Sequence, residues 1–209
     1  MVVLFCAVGT PLSAQNISFH KYHNPAEVQQ ILTTLQQNHP DNTRLHTIAV
    51  SPGDEPVTVF EIGSNLSNVP AVFVGANFEG NIPLATEGAI RLAQMLLDST
   101  DYTNAKKWYI LPLPNPDAAK GFFADVKYNR TVNDFEINND VDEASGEDGY
   151  EDLNGDGFIT RMRVKDLEGK YLSSEKDARI MLKADALKGK RGEYKIYSEG
   201  VDNDGDGKY

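Results

Sequence analysis

The sequence predicts an α/β protein in which a mixed β-sheet is flanked by helices. A short apolar strand over Ala71–Ala76 leads through a polar turn into an amphipathic helix over Leu84–Leu97, and a second apolar strand, Trp108–Leu113, comes next. Strands that alternate with amphipathic helices are typical of α/β folds, which present reactive groups at the carboxyl ends of their strands. With 209 residues and 40% hydrophobic content, the chain is expected to form one α/β unit.

The first element is predicted to be a helix over Pro25–Asn38. Asn24 can cap it, Pro25 suits the first helical position, and Glu27 stands where a capping-box carboxylate reaches back to the cap. Four histidines surround this helix, and we interpret them as surface and capping residues rather than as a metal pair: His20, His23, His39 and His46.

Two strands, Arg44–Val50 and Val57–Ile62, are predicted to form an antiparallel pair, because the segment between them is rich in turn-forming residues. The continuous apolar run Ala71–Ala76 predicts a strand that is buried on both faces. Trp108–Leu113 is expected to end at Pro114–Ala118, where two prolines stop the strand and a loop begins.

The net charge of −11 excludes the function classes that depend on a basic surface. Proteins that bind nucleic acids use Lys and Arg to displace counterions from phosphates, and anionic membranes attract the same residues. We therefore expect neither nucleic acid nor an anionic membrane as a partner.

The segment Met1–Ala14 is apolar and rich in small residues, and it ends in a sequence typical of signal-peptidase cleavage sites. It predicts an export signal and a secreted or periplasmic protein, although no Lys or Arg precedes the apolar run. The alternative is a buried first strand. The segment is too short to span a membrane, so no transmembrane segment is expected. Cys6, the only cysteine, lies within it, so the mature chain would lack thiols.

The order of these elements, with an Asn-x-x-Gly-Asn turn over Asn77–Asn81 and Asn-Pro-Asp over Asn115–Asp117, resembles the zinc carboxypeptidase family. The resemblance implies the family's fold, a zinc ion, and peptides or protein C-termini as partners. In that family the turn carries a His and a Glu as the first two zinc ligands. In one alignment Glu79 stands at the histidine position and Ile82 at the glutamate position. In the other, Glu79 takes the glutamate position and Ala76 the histidine position.

Either alignment replaces at least one zinc ligand by an alkyl group, which has no lone pair to donate. Zinc is thus expected of the family but doubtful in this chain. Arg130 resembles the family's catalytic arginine, which faces the scissile carbonyl, and a surface ion pair is its alternative role. The family's remaining histidine and its general-base glutamate would be expected after Tyr209, so the resemblance implies a fold that is truncated at the C-terminus.

Acidic residues dominate the stretch from Asp134 to Asp156, which holds ten Asp or Glu residues and no Lys or Arg. Two short motifs with alternating oxygen side chains and a glycine resemble the first half of a calcium loop, and a third is looser. Arg163 stands at the twelfth position of a loop that begins at Asp152, which excludes an EF-hand. The candidate calcium ligands are Asp152, Asn154 and Asp156, then Asp202, Asp204 and Asp206, with Asp140 and Asp142 beside Asn138 in the looser motif.

The predicted organisation is an export signal over residues 1–14 and an incomplete carboxypeptidase-like domain over residues 15–209. Acidic insertions would occupy about 134–163 and 199–209 of that domain. The leading functional hypothesis is an exported domain whose zinc site is degenerate and which binds peptide or has a structural role. Two alternatives stay open: a metallocarboxypeptidase that removes C-terminal residues from peptides when complete, and a calcium-dependent binding module.

Overall fold

A computed structural model describes residues 17–63, 65, 68–136, 138, 145–146 and 148–207. The expected export signal and the candidate calcium ligands Asp140 and Asp142 lie outside the described residues. The chain divides into two compact units. The first comprises the chain up to Lys120 together with Arg130–Asp134, and the second comprises Gly121–Asn129 and Phe135–Tyr209. The domain boundaries expected from the sequence stay a prediction.

Helix α1 spans Pro25–Asn38, as the sequence predicts. The Asn24 side chain accepts a hydrogen bond from the Glu27 backbone N–H at 2.9 Å, and the Glu27 carboxylate accepts one from the Asn24 backbone N–H at 3.0 Å. This reciprocal capping box satisfies two donors that a helix start otherwise leaves unpaired. Val28, Leu32 and Leu35 are buried on one face of the helix, which fixes the side that packs on the core.

The sheet of the first unit has four strands, namely β1 Thr43–Val50, β2 Pro56–Gly63, β3 Ala71–Gly75 and β4 Lys107–Leu111. Their order in the sheet is β1-β2-β4-β3. The strands β1 and β2 are antiparallel, as predicted, β2 and β4 are antiparallel, and β3 and β4 are parallel. The sheet is therefore mixed, which confirms the predicted fold class.

Strand β3 lies at the edge of this sheet, and the prediction that it is buried on both faces was wrong. Phe73 on this strand is 60% exposed. An apolar run of this length shows that a strand is compatible with burial, but the run does not specify how many neighbours the strand has. The sheet order decides that, because β3 pairs only with β4 among the described strands.

Helix α2 spans Pro83–Asp98 and packs with α1 on one face of the sheet. The core between them is formed by side chains from both helices, β2 and β4, namely Val28, Leu32, Leu35, Phe60, Ile62, Ala89, Ile90, Ala93, Leu96 and Ile110. The opposite face of the sheet carries a smaller cluster of Val57, Val59 and Leu111. Neighbouring residues of β2 thus point to opposite faces, and β2 is buried on both. None of the described helices is long and apolar enough to cross a membrane.

His23 is buried, which corrects its interpretation as a surface or capping residue. The Glu87 carboxylate on α2 lies 2.9 Å from its ring Nδ1 and accepts a hydrogen bond from its backbone N–H at 2.7 Å. A buried carboxylate needs such partners, and they fix the segment that precedes α1 on α2.

The segment after β4 begins a helix, α3 Pro116–Phe123, where the sequence predicts a loop. The Asn115 side chain accepts a hydrogen bond from the Ala118 backbone N–H at 3.2 Å, and Pro116 occupies the first helical position. Both features are standard at a helix start. Strand β4 ends at Leu111, directly before Pro112 and two residues earlier than predicted, and Pro116 opens a helix instead of a loop.

The strands of the second unit are β5 Lys127–Tyr128, β6 Phe158–Ile159, β7 Arg161–Lys165, β8 Tyr171–Ser173, β9 Met181–Lys183 and β10 Tyr194–Ser198. They form an antiparallel sheet with the strand order β7-β10-β8-β9 and a parallel pair, β5-β6. β10 is central and pairs with β7 over five residues, from Tyr194 to Ser198.

Candidate functional site

The turn between β3 and α2 is organised by the side chain of Asn77. Asn77 is buried and has a φ of 50°, a left-handed conformation that Asn tolerates better than most residues. Its side-chain amide donates to the Gly80 carbonyl and to the Thr86 hydroxyl, and its side-chain oxygen accepts from the Ile82 backbone N–H at 2.9 Å. The Thr86 hydroxyl in turn donates to the Pro112 carbonyl at 3.0 Å, which ties the turn to the segment after β4.

Gly80 allows this turn to approach the start of α3. It has a φ of 78°, and a Cβ at this position would lie 2.6 Å from both the Ala118 Cβ and the Asn115 carbonyl oxygen. Only glycine suits both the conformation and the space. The sequence singled out this turn for its ligand positions, but the structural role of Asn77 was missed. An Asn directly after a strand is the signal that could have revealed it.

The residues at the zinc-ligand positions of this turn offer one carboxylate and no imidazole. The Glu79 side chain is exposed, and Ile82 beside it is 49% exposed. Ala76, the alternative histidine position, is partly buried and packs against the apolar core. Within the described part of the chain, the one group of three or more His, Cys, Asp or Glu side chains close enough to share a metal ion does not include Glu79. A zinc site needs three protein ligands, so this donor set does not suit the ion.

Arg130 is directed into its own loop. Its guanidinium donates to the backbone carbonyls of Val132, at 2.9 Å, and Asn133, and it forms an ion pair with the Asp134 carboxylate. Its side chain is only 14% exposed. These contacts give the loop from Arg130 to Asp134 its shape, and the catalytic role that the resemblance implies for Arg130 stays a prediction.

Asp117 joins this loop to the β1–β2 turn. It is fully buried, and its carboxylate accepts hydrogen bonds from the Ser51 hydroxyl at 2.5 Å, the Gly53 N–H at 3.2 Å and the Asp134 N–H at 3.1 Å. Burial alone would raise the pKa of Asp117. The hydrogen bonds from Ser51, Asp134 and Gly53 and the positive charge of Lys120 outweigh burial and hold this pKa below its usual value.

Asn115 and Asp117 thus have structural roles that the sequence did not reveal. Asn115 caps α3 through its side-chain oxygen and donates through its side-chain amide to the Thr131 carbonyl at 3.0 Å. The Asn-Pro-Asp motif therefore holds the β1–β2 turn and the loop that follows Arg130 against the start of α3. Pairing of Asp117 with residues 66 positions earlier in the chain cannot be read from a local motif.

A cleft lies between the β1–β2 turn, the turn after β3 and the loop that follows Arg130. It has a volume of about 560 Å³ and is lined by Ala49, Val50, Ser51, Pro52, Val57, Phe78, Pro114, Asn115, Pro116, Thr131, Val132 and Asn133. Three of its apolar side chains are strongly exposed: Val50 at 63%, Phe78 at 63% and Val132 at 59%. An apolar cleft with a few polar groups at its edge is the usual form of a binding site.

In the second unit, the acidic loop of Asp152, Asn154 and Asp156 is stabilised by its own backbone. The Asp152 carboxylate accepts hydrogen bonds from the N–H groups of Gly155, Asp156 and Gly157, and Asn154 and Asp156 each accept one more. These residues do not belong to the shared-metal group found among the described residues. Their assignment as calcium ligands stays a prediction.

Glu199 holds this first acidic loop to the end of β10. Its carboxylate is 4% exposed and accepts hydrogen bonds from the backbone N–H groups of Leu153, Asn154 and Thr160 and from the Thr160 hydroxyl. The bonds from Thr160, together with those from the loop N–H groups, lower the pKa of Glu199. Glu199 lies at the boundary of the acidic insertion expected over residues 199–209, and this anchoring role was missed from the sequence.

The second acidic loop brings Asp202, Asp204 and Asp206 together with Asp148. One carboxylate oxygen from each of the four residues lies within 4.8 Å of the others. The Asp206 backbone N–H donates to Asp204 and lowers its pKa, but burial and the negative charges of Asp148 and Asp206 leave the pKa of Asp204 raised. The sequence predicted the three residues of the loop, and Asp148 is an addition from the fold.

The comparisons with known proteins agree with the resemblance seen in the sequence. A family model described as zinc carboxypeptidase matches residues 28–141. Carboxypeptidase E of Caenorhabditis elegans is 28% identical over 108 residues, which cover 46% of this chain and 23% of that protein. This chain thus spans about a quarter of the length of that curated relative.

Two similar solved structures are the bovine thrombin-activatable fibrinolysis inhibitor in complex with tick carboxypeptidase inhibitor and a carboxypeptidase A from Helicoverpa armigera. The first has a TM-score of 0.47 and 14% identity and covers 55% of this chain and 39% of its own. The second has a TM-score of 0.45 and 24% identity and covers 55% of this chain and 30% of its own. The family model matches more than half of the residues of the present chain, and the chain therefore belongs to the zinc carboxypeptidase family.

Proposed function

We propose that this chain is a carboxypeptidase-family domain with a degenerate zinc site that binds peptide without hydrolysing it. The observation that carries the proposal is the pair of side chains at the ligand positions, since Ile82 offers no lone pair and Glu79 is exposed. A catalytic zinc ion must be held by three protein ligands while it lowers the pKa of a bound water. One carboxylate beside a hydrocarbon cannot provide the first two of them.

The apolar cleft supports the peptide-binding half of the proposal. Its volume of about 560 Å³ would accommodate one or two side chains of a peptide, and the exposed Phe78 and Val132 offer apolar surface for them. Asn115 and Asn133 line the same cleft, and amide side chains are suited to hydrogen bonds with a peptide backbone. The cleft is formed by residues that the Asp117 carboxylate ties together, so it is largely preformed.

The experiment combines zinc content, peptide hydrolysis and peptide binding on the full-length protein. We expect no stoichiometric zinc after incubation and gel filtration, no release of C-terminal amino acids, and measurable binding of peptides with apolar side chains by calorimetry. Stoichiometric zinc together with release of C-terminal residues would instead establish the active metallocarboxypeptidase. If no apolar peptide binds, the proposal that this domain binds peptides is wrong, and a structural role remains.

A double variant tests the degenerate zinc site directly. Glu79→His combined with Ile82→Glu restores the family's ligand types at the positions given by the first alignment. We expect zinc affinity to rise on the order of tenfold or more, since two donors are gained. The matched control is Ile82→Leu, which keeps the alkyl character and should leave zinc affinity unchanged. An equal affinity in all three proteins would show that this turn is not the degenerate site.

We further propose that the protein is exported. The support is the apolar, small-residue composition of Met1–Ala14 and the Leu-Ser-Ala-Gln sequence that ends it. Expression in a bacterial host, followed by N-terminal sequencing of the protein from the periplasm and medium, should find a chain that begins at Gln15. Recovery of the uncleaved chain from the cytoplasm alone would contradict export.

A further inference from the structure

The two acidic loops have the same local structure and differ in their surroundings. In each loop the first Asp accepts hydrogen bonds from the backbone N–H groups three and five residues later, as Asp152 does from Gly155 and Gly157. Asp202 does the same with Gly205, at 2.7 Å, and Gly207, at 3.1 Å. The distant carboxylate that reaches the first loop, Glu199, has donors at both of its oxygens. The distant carboxylate that reaches the second loop has a donor at one oxygen only within the described residues.

That carboxylate belongs to Asp148, which precedes the loop by more than fifty residues. Its Oδ1 accepts a hydrogen bond from the Asn203 backbone N–H at 2.9 Å, which positions the side chain beside the loop. Its Oδ2 is buried and makes no hydrogen bond within the described chain. A buried carboxylate oxygen without a donor is costly and calls for a ligand.

The Oδ2 atom of Asp204 is in the same condition. The Oδ1 of this residue accepts a hydrogen bond from the Asp206 backbone N–H at 2.8 Å, whereas its Oδ2 is buried and has no hydrogen-bond partner in the described chain. Asp148 and Asp204 thus each accept a backbone N–H at one oxygen and keep the other oxygen buried without a donor, and both belong to the group of four carboxylates. The N–H groups of Asn203, Gly205, Asp206 and Gly207 donate to other carboxylate oxygens, so a cation would supply the positive partner that these two oxygens lack.

We propose that Asp148, Asp202, Asp204 and Asp206 bind one calcium ion. The four ligand oxygens lie within 4.8 Å of one another, which is the diameter of a shell of oxygens placed about 2.4 Å from one ion. All four are hard carboxylate ligands, which suit calcium and magnesium rather than zinc. Calcium is favoured over magnesium because magnesium retains most of its waters and is rarely held by a cage of protein ligands alone.

The ion would connect two distant segments of the second unit. Next to Asp148, Tyr150 forms an antiparallel bridge with Gly200, and the Glu151 backbone N–H donates to the Glu199 carbonyl at 3.1 Å. These few bonds hold the segment of Asp148 beside the second acidic loop, although the four carboxylates repel one another. A bound calcium ion would neutralise these charges, so we expect this region to be more ordered with calcium than without it. The proposal does not depend on peptide binding or on zinc.

The test is titration of the full-length, EDTA-treated protein with CaCl₂, followed by calorimetry and by thermal unfolding. We expect one saturable site and a Tm rise of about 5 to 10 °C at a hundredfold excess of calcium over Kd. Asp148→Asn and Asp204→Asn should each weaken calcium binding on the order of tenfold or more, because each removes a charged ligand. Asp204→Asn also gives the second loop the residue that the first loop already has, Asn154.

The control is Glu175→Gln, at an exposed carboxylate of the second unit that lies outside both acidic loops. It should leave the calcium affinity unchanged. Circular dichroism in EDTA should show that all variants retain the wild-type fold, which separates loss of a ligand from loss of structure. The proposal is wrong if calcium produces neither heat nor a Tm shift, if magnesium binds equally well, or if Glu175→Gln abolishes binding while Asp148→Asn does not.

Discussion

The Ser51 hydroxyl donates a hydrogen bond of 2.5 Å to the Asp117 carboxylate, although the two residues are 66 positions apart. Asp117 also accepts from the backbone of Gly53 and Asp134. One buried carboxylate therefore holds together the β1–β2 turn, the start of α3 and the loop of Arg130. These are three walls of the cleft to which we assign peptide binding.

Replacement of this carboxylate by an amide should destabilise the first unit. In Asp117→Asn one acceptor oxygen becomes an N–H donor, which would face either the Ser51 hydroxyl or the two backbone N–H groups. We expect a loss of about 2 to 3 kcal/mol in the free energy of unfolding, measured by urea titration. The control Asp101→Asn, at an exposed carboxylate, should change it by less than about 0.5 kcal/mol. An equal loss of unfolding free energy in the two variants would show that Asp117 does not hold these segments together.

Gly53 should not tolerate a side chain. A Cβ at this position would lie 2.6 Å from carboxylate oxygens of both Asp117 and Asp134. Gly53→Ala is therefore expected to cost about 1 to 3 kcal/mol in stability, because the buried Asp117 carboxylate and the neighbouring Asp134 carboxylate have to move. Gly88→Ala on α2 is the matched control. Nothing lies within 4 Å of its added Cβ, and it should gain about 0.5 to 1 kcal/mol in the same urea titration.

Phe78 should contribute directly to peptide affinity. Its ring is 63% exposed at the cleft, so truncation should remove contact area for a ligand without emptying the core. We expect Phe78→Ala to weaken binding of an apolar peptide on the order of tenfold, measured by calorimetry. Met95→Ala, at a residue that is 55% exposed on α2 and outside the cleft lining, should bind as the wild type does. A loss of affinity in both variants would place the peptide elsewhere.

The second unit should lose stability in acid through Glu199. Because its folded-state pKa lies below the usual 4.5, the stability it provides is complete above that pH and is lost as the pH falls through the folded-state pKa. The Tm of the wild type should therefore decline below about pH 5. Glu199→Gln should lower the Tm at pH 7 and flatten this decline. Glu175→Gln, at an exposed residue, should reproduce the wild-type profile, and a flattened profile there would contradict the assignment.

Local signals predicted the first helix and the first hairpin well. The cap at Asn24 and the capping-box carboxylate at Glu27 define the start of α1, and the turn after Val50 defines the β1–β2 pair. Both depend on residues that are close in sequence. The Asn-Pro-Asp motif shows the limit of such signals, because Pro116 is compatible with both a loop and a helix start. The side-chain bond from Asn115 decides between them.

The remaining features depend on contacts between distant residues. Nothing near His23 indicates that Glu87 will bury it, and nothing near Asp148 indicates that it will meet the loop of Asp202. Likewise, the exposure of β3 follows from its place in the sheet order and not from its composition. The sequence could therefore single out the acidic loops and the turn of Glu79, but not the residues that complete or anchor them.

The bonds of Glu199 also set an order of events during synthesis on the ribosome. The three residues to which it binds, Leu153, Asn154 and Thr160, are translated 39 to 46 positions earlier. At about 5 to 20 residues per second, the first acidic loop emerges several seconds before the carboxylate that anchors it. During that interval the first acidic loop lacks the carboxylate that holds it, so its final structure can form only after residue 199 has been translated.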